Sequence, residues 1–412
     1  MSGIQIRMGS TGIKASVDLP ASKSISNRLL LIKALCRDNF TIKNLSVSDD
    51  TLILKQCIKK LAKAEVFDVG DAGTAFRFLT ALFAITPGKR LLIGSERMSK
   101  RPVLEMVKAL RALGAKIRYT ETKGFPPLLI TGTKFKYYDT TVKASISSQY
   151  ISSLLLIGPC LNNGLVLTLE GEIASRPYID MTLKLMESFG VKSRWENNII
   201  TIAKQDYQPH NYVVQDDWSA AAFWYQIVAF SEVASVELSG LPKDNLQGDA
   251  IVADIYDKLG VKTSYLADSI LLTRKENRAM VLTNDFFLTP DLFPPVMATC
   301  AGLKIPFRFT GLQNLVIKES DRVLAMITEL AKFGYYFNYD KQEGSLVYDG
   351  NKGNYDDAEV VCDSHNDHRI AMSLAPMAMI HCRVNLNDSE CVSKSYPAYF
   401  DDLQKAGFKV IC

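Results

Sequence analysis

Residues 176–195, RPYIDMTLKLMESFGVKSRW, decide the fold, because they are one copy of a pattern that returns along the chain. Apolar residues fall at i, i+3, i+4 and i+7, the spacing of an amphipathic helix. A glycine then stops the helix, and a short strand follows. The pattern repeats in RPVLEMVKALRALGAKIRY (101–119), GDAIVADIYDKLGVKTSY (248–265), SDRVLAMITELAKFGYYFNY (320–339) and PAYFDDLQKAGFKVI (397–411). The stopping glycines are Gly114, Gly190, Gly260, Gly334 and Gly407, spaced 76, 70, 74 and 73 residues apart. A solenoid unit is only about 20–50 residues long, so this period marks a copied subdomain.

Residues 147–202 give the content of one copy. Helix SSQYISSLLLIGPCL leads to strand GLVLTLEGE, then to the helix quoted above, and then to strands VKSRW and NIITIAK. This is a mixed α/β unit whose helices are apolar enough to be covered by sheets. SDDTLILKQCIKKLAKAEVFDV (48–69) reads as a weaker copy that passes straight to a glycine loop and lacks the second hairpin strand. Six related units result, one of them trimmed. They group as two lobes of three, one of residues 21–216 and one of residues 1–20 with 217–412. The seam lies near QDDWSAAAFWYQ, where Asp217 can cap a new helix. No Gly/Ser- or Pro-rich linker separates the lobes.

Composition narrows the function. The 412 residues carry 48 Lys+Arg against 44 Asp+Glu, and a net charge of +4 is too mild for nucleic-acid binding by bulk charge. The N-terminus has no apolar leader core, and no span reaches the roughly 18 apolar residues of a membrane helix. A cytoplasmic protein is expected. The eight cysteines form no CxxC pair, which suggests reduced thiols scattered through the core. HxxH in residues 365–368 has no third ligand at a zinc-enzyme spacing, so no metal is expected.

Cations recur where helices begin. LPASKSISNRLLLIKAL (19–35) offers Lys23, Ser24 and Arg28; VGDAGTAFRFL (69–79) is a glycine turn with free N–H groups at Gly73 and Thr74. SERMSKRP (95–102) supplies Arg97, Lys100 and Arg101 before Pro102, read as a first helical residue. NLVIKESDR (314–322) brings Lys318, Glu319 and Arg322, HNDHR (365–369) brings His368 and Arg369, and Lys394 precedes the last repeat helix. Each motif alone is weak, and GDAGT without GK[ST] is no P-loop. Helix electrostatics prefers acids at these positions. A shared, highly anionic ligand explains so many exceptions.

Hydroxyls and acids accompany them. Ser147, Ser148 and Gln149 stand at one helix entrance, and Ser175 and Tyr178 at the next. These are neutral donors for phosphate and sugar-like hydroxyls, or plain N-caps. Asp291, before two prolines that open an apolar helix, is a candidate base as well as a cap. Glu319 is either salt-bridged between Lys318 and Arg322 or tuned by them as an acid.

LPASKSISNR, GDAGTAFR, ERMSKRP, ISSQY, SRPYID, IKESDR, NDHR and SKSYP stand in this order along nearly the whole chain. In that order they resemble the EPSP synthase (3-phosphoshikimate 1-carboxyvinyltransferase) family of enolpyruvyl transferases. The resemblance implies a two-lobed inside-out α/β barrel, each lobe of three βαβαββ-type units, with the active site in the cleft between lobes. It implies transfer of the enolpyruvyl group of phosphoenolpyruvate to the 5-hydroxyl of shikimate 3-phosphate, without cofactor. A monomer is expected. By the same resemblance Lys23 touches both substrates. Ser24, Arg28, Ser147, Ser148, Gln149, Ser175, Tyr178, Asn314 and Lys318 serve shikimate 3-phosphate. Gly73, Arg101, Gln149, Arg322, Arg369 and Lys394 cradle phosphoenolpyruvate. Asp291 removes the hydroxyl proton and Glu319 protonates the methylene carbon.

In the family's usual GNAGTAMRP loop Asp71 here replaces the Asn and Phe78 the Pro, and these changes bear on the shape of the phosphoenolpyruvate wall. A related enzyme acting on UDP-N-acetylglucosamine is the nearest rival, disfavoured by the SSQ, KESDR and NDHR motifs and by the lack of a cysteine in the expected loop. A non-catalytic phosphometabolite-binding protein is the rival of another class, and it would not need the acids.

Overall fold

The computed structural model describes residues 3–9, 12–354, 360–381 and 383–411. They form two compact units, Ala21–Val214 and Met1–Pro20 with Gln215–Cys412.

In the unit Ala21–Val214 the helices are α1 (Lys23–Leu35), α2 (Asp49–Lys59), α3 (Gly73–Ile85), α4 (Glu96–Ser99), α5 (Leu104–Leu113), α6 (Ser148–Ile157) and α7 (Arg176–Ser188). The strand Asp139–Lys143 runs through α6 into Leu165–Glu170, which pairs with it in parallel. A parallel pair needs a crossover of this length, and the helix supplies it. After α7 comes the hairpin Ser193–Glu196 and Ile199–Ile202, whose second strand returns antiparallel to Leu165–Glu170. The strands Val66–Asp68, Gly88–Ile93, Lys116–Tyr119 and Leu128–Gly132 repeat this order through α3 and α5. A third sheet has only Ile42–Lys43 and Tyr212–Val213, paired in parallel.

The other unit holds α8 (Trp218–Phe230), α9 (Val252–Lys258), α10 (Phe293–Leu303), α11 (Arg322–Ala331), α12 (His368–Leu374) and α13 (Tyr399–Lys405). Its three sheets have four strands each, in the same order. The N-terminal segment completes two of them. Gly12–Val17 pairs in parallel with Val233–Ser239, and Ile4–Met8 lies between Val384–Asn387 and Phe408–Ile411.

Within each unit the most apolar helices, α3 in one and α8 and α10 in the other, are buried almost throughout. Every residue of α8 is buried, as befits a helix apolar on all faces. The strand Ile199–Ile202 alternates exposed and buried residues, so only one face of its sheet is covered. The five stopping glycines all have positive φ, from 81° at Gly190 to 108° at Gly114, where a side chain would be strained.

Three expectations need correction. Val66–Asp68 does not close the trimmed copy but opens the next sheet, so the trimmed copy lacks both hairpin strands. Pro102 is not the first residue of a helix: α5 starts at Leu104, which leaves Arg101 and Pro102 in the loop after α4. The cysteines are not uniformly core thiols. Cys57, Cys300 and Cys362 are buried, Cys36 and Cys391 half-buried, and Cys160 exposed. Cys382 and Cys412 lie outside the described residues.

Candidate active site

In the second unit three sequence motifs meet at one guanidinium, and a fourth adjoins them. Arg322 opens α11, capped by Asp321, whose carboxylate accepts from the N–H of Leu324 at 3.1 Å. Although its side chain is only 1% exposed, Arg322 faces three carboxylates. Nη1 donates to Oδ1 of Asp291, Nη2 to Oε2 of Glu319, and Nε to Oδ2 of Asp367, each at 2.8 Å. Arg369, the second residue of α12, donates through Nη2 to the other oxygen of Asp291 at 2.8 Å. Lys394 stands 3.7 Å from Oε1 of Glu319.

Buried charge of this kind is tolerated only when paired. Burial would raise the Asp291 pKa, but Arg369, Arg322 and Lys318 outweigh it and hold the carboxyl well below the usual range. Burial would likewise lower that of Arg322, yet Asp367, Glu319 and Asp291 carry it above the ordinary arginine value. Close by, Asp249 goes the other way. Burial first, then the charge of Asp291, pushes it up to about 6, although its Oδ2 accepts from the Ser219 hydroxyl.

Asp291 is not the cap of α10. It sits one residue before the cap Leu292, in the 3-10 turn Pro290–Leu292, and the helix starts at Phe293 with Pro294 and Pro295 in its first turn. Asn314 lies in the short helix Gln313–Ile317, and its buried Nδ2 has no partner among the described residues.

In the unit Ala21–Val214, α1 is capped by Ser22, which leaves Lys23 as its first residue. The Lys23 ammonium lies 3.5 Å from the buried carboxylate of Asp50, near the start of α2. Arg28, one turn on, is buried and knits three helices together. Nε donates to Thr182 Oγ1 at 2.7 Å and Nη1 to the carbonyl of Ser24 at 2.8 Å. Nη2 donates to Ser152 Oγ at 3.0 Å and to the carbonyl of Tyr178 at 3.1 Å. No carboxylate is among these partners, and burial lowers the Arg28 pKa to about 10. Four of the five guanidinium N–H groups are thereby spent. What remains for a ligand is one.

The glycine loop runs into α3, whose N-cap, Ala72, gives no side-chain cap. A Cβ on Gly73 would fall 2.4 Å from Nη1 of Arg101 and 2.8 Å from Nη1 of Arg77, so a side chain here would push these guanidinium groups aside. Gln149, in the first turn of α6, donates to Thr74 Oγ1 at 3.0 Å, while Ser147 caps α6 through the N–H of Gln149. Ser148 is buried in the first turn, and Ser175 precedes α7 in the left-handed region with φ of 54°. Asp71, the departure from the usual loop, accepts from the Ser95 hydroxyl.

Not every cation belongs here. Lys100 pairs with Glu96 one turn away on an exposed face, and it is surface decoration. Conversely, Asp367 and Asp50 were not among the expected site residues, although each holds one of the cations. Asp367 had a visible signal. It precedes His368 and Arg369, and it caps α12 by accepting from the N–H of Arg369 at 3.0 Å. Among the described residues no group of three or more His, Cys, Asp or Glu is placed to hold a metal ion.

A family model described as EPSP synthase (3-phosphoshikimate 1-carboxyvinyltransferase) matches residues 8–403. The chain belongs to the EPSP synthase family. It is 46% identical over 400 residues to a 3-phosphoshikimate 1-carboxyvinyltransferase of Bacteroides fragilis, covering 97% of this chain and 96% of that one. A namesake from Sulfurovum is 34% identical over 420 residues, covering 95% and 96%. Among solved structures, EPSP synthase from Acinetobacter baumannii matches with a TM-score of 0.80 at 23% identity, covering all of both chains. The enolpyruvyl transferase NikO from Streptomyces tendae follows with 0.75 at 14%, covering 99% and 98%. These two likenesses speak for the fold alone, the two-lobed inside-out α/β barrel that the family resemblance implied. No helix among the described residues is long and apolar enough to cross a membrane.

Proposed function

We propose that this chain transfers the enolpyruvyl group of phosphoenolpyruvate to the 5-hydroxyl of shikimate 3-phosphate, releasing phosphate by addition and elimination. One observation carries the reading beyond family membership. Two acids, Asp291 and Glu319, flank a single buried guanidinium that a second arginine and a lysine adjoin. Attack of an alcohol on C2 of an enol phosphate needs protonation at C3 and removal of the hydroxyl proton. An acid and a base must therefore flank one carbon, beside fixed cations for the departing phosphate.

In this scheme Asp291 takes the hydroxyl proton and Glu319 supplies the methylene proton. Without substrate, Arg322 and Arg369 are engaged by Asp291, which makes that carboxylate a poor base. An anionic substrate at the two arginines shares their charge, and the carboxyl pKa rises toward the range where it can accept a proton. Lys318, Lys394 and Asn314 complete this set. From the unit Ala21–Val214 come Lys23, Ser24, Arg28, Gly73, Arg101, Ser147, Ser148, Gln149, Ser175 and Tyr178. Arginines suit bidentate carboxylate and phosphate contacts, and lysines act as mobile point charges. The enzyme acts as a cytoplasmic monomer and needs no cofactor.

The test is a phosphate-release assay on purified protein. Phosphate should appear only when both phosphoenolpyruvate and shikimate 3-phosphate are present. Release with UDP-N-acetylglucosamine in place of the shikimate, or none with the correct pair, would overturn the proposal.

A further inference from the structure

The carboxylate of Glu329 has no part in the scheme above, yet it is 1% exposed and lies on α11, two turns beyond Arg322. Oε2 accepts from the Lys332 ammonium at 2.7 Å and from the N–H of Asp363 at 2.9 Å. Oε1 meets Nε2 of His365 at 2.9 Å. The helix therefore grips the segment 363–367 twice. Glu329 holds Asp363 and His365, and Arg322 holds Asp367 through Nε–Oδ2 at 2.8 Å. Between the grips His365 and Asn366 both have φ of 51°, a conformation that non-glycine residues keep only where their surroundings enforce it. Asp367 then caps α12 through the N–H of Arg369. The rear grip thus fixes the carboxylate that accepts from the Arg322 guanidinium and from the backbone N–H of Arg369.

We infer that Glu329 and His365 are positioning residues, clamping the 363–367 turn so that Asp367 aims Arg322 and anchors the start of α12 that carries Arg369. The inference rests on the proposed function only for what those arginines bind. The charged and titratable groups facing His365 are Glu329 and Lys332 of α11 and Asp363 of the strand Val361–Asp363, and the Cys362 thiol of that strand meets Glu329. The hydrogen bond to Glu329 raises the His365 pKa, burial opposes it, Asp363 adds and Lys332 subtracts. Burial pushes the Cys362 thiol far up, so it stays neutral. For a histidine raised in this way, the ionic part of the clamp is complete below the ordinary value of about 6.5 and is lost as pH rises through the folded value.

Two measurements test this. The chain has four histidines, so ring titration by NMR is assignable with His365→Asn. His365 should titrate above the ordinary histidine value in the wild type and fall back toward it in Glu329→Gln. In the transferase assay both variants should raise KM for phosphoenolpyruvate by about tenfold, short of the roughly 10²-fold cost of a ~1 Å misplacement. Their kcat should stay within about twofold. Wild-type KM should climb as pH rises above the ordinary histidine value of about 6.5, a rise absent in His365→Asn. His365→Lys, which restores a cation, should bring KM back and make it flat with pH. Should Glu329→Gln fail to fold, the partly exposed His365 variants carry the test alone. Were the wild type to lack transferase activity, the proposed function would fall. The clamp would still be read from faster hydrogen exchange at the Arg369 amide in either variant. Unshifted His365 titration, unchanged KM in an active protein, or unchanged exchange would overturn the clamp.

Discussion

Replacing Arg322 by leucine should destabilise its unit strongly and in a pH-dependent way. The guanidinium is buried and makes three 2.8 Å contacts with the carboxylates of Asp291, Glu319 and Asp367. Leucine leaves Asp367, which is 0% exposed, without its main counter-charge. Breaking a buried pair by removing one partner costs about 3–5 kcal/mol. Arg369 still faces Asp291 and Lys394 still lies near Glu319, so a loss of roughly 3–5 kcal/mol rather than three times that is expected. Arg322→Lys should fall between, since it keeps the charge but cannot present the fork; each charged hydrogen bond lost is worth ~1.5–3 kcal/mol. The sign of the pH effect follows from the acids. In the wild type Asp291 is held well below its ordinary value, so its stabilising contribution is present above about pH 3.9 and is lost only in stronger acid. Without Arg322, burial favours the protonated acids, which take up protons as pH falls from 7 toward about 4. The variant's deficit should shrink over that range. Urea unfolding at pH 7, 5.5 and 4 measures it. A deficit below about 1 kcal/mol at pH 7, or one that does not change with pH, would refute the view of Arg322 as the charge centre of this site.

Other expectations follow from the same geometry. Lys23→Met should leave the fold intact, since its ammonium stands 3.5 Å from Asp50 rather than at close hydrogen-bond distance, but remove most turnover; near-normal activity in the purified variant would exclude the role given to it. Asp291→Asn and Glu319→Gln should each slow turnover by about 10²–10⁴-fold, and only the latter should suppress exchange of solvent deuterium into the methylene group. Asp249, held up near 6, carries a penalty above that pH and none below its ordinary value, so Asp249→Asn should be more favourable at pH 7 than at pH 4 by ~1–3 kcal/mol in urea unfolding. Arg28→Leu strands the hydroxyls of Thr182 and Ser152 and the carbonyls of Ser24 and Tyr178, and should cost ~2–5 kcal/mol with α1 exchanging amide hydrogens first.

Much of the architecture was legible in the chain because it is written in local rules. The 3.6-residue spacing located α5, α7, α11 and α13, and each stopping glycine sits at the positive φ that only glycine adopts freely. The Asp217 cap of α8 was readable for the same reason, since its partner is the N–H of Ser219 two residues on. The trimmed copy was misread at Val66–Asp68, because three residues of strand carry no mark of which sheet they will join; pairing with Leu91–Ile93 decides it. The cations at helix starts were visible as exceptions to helix electrostatics, and the motifs that hold them could be put in order. Their partners could not. Asp367 meets Arg322 across 45 residues, Asp291 meets Arg369 across 78, and Arg28 meets Thr182 across 154. Sequence spacing says nothing about such pairs, because the energy that selects them arises only when folding removes both groups from water and leaves each as the other's solvent.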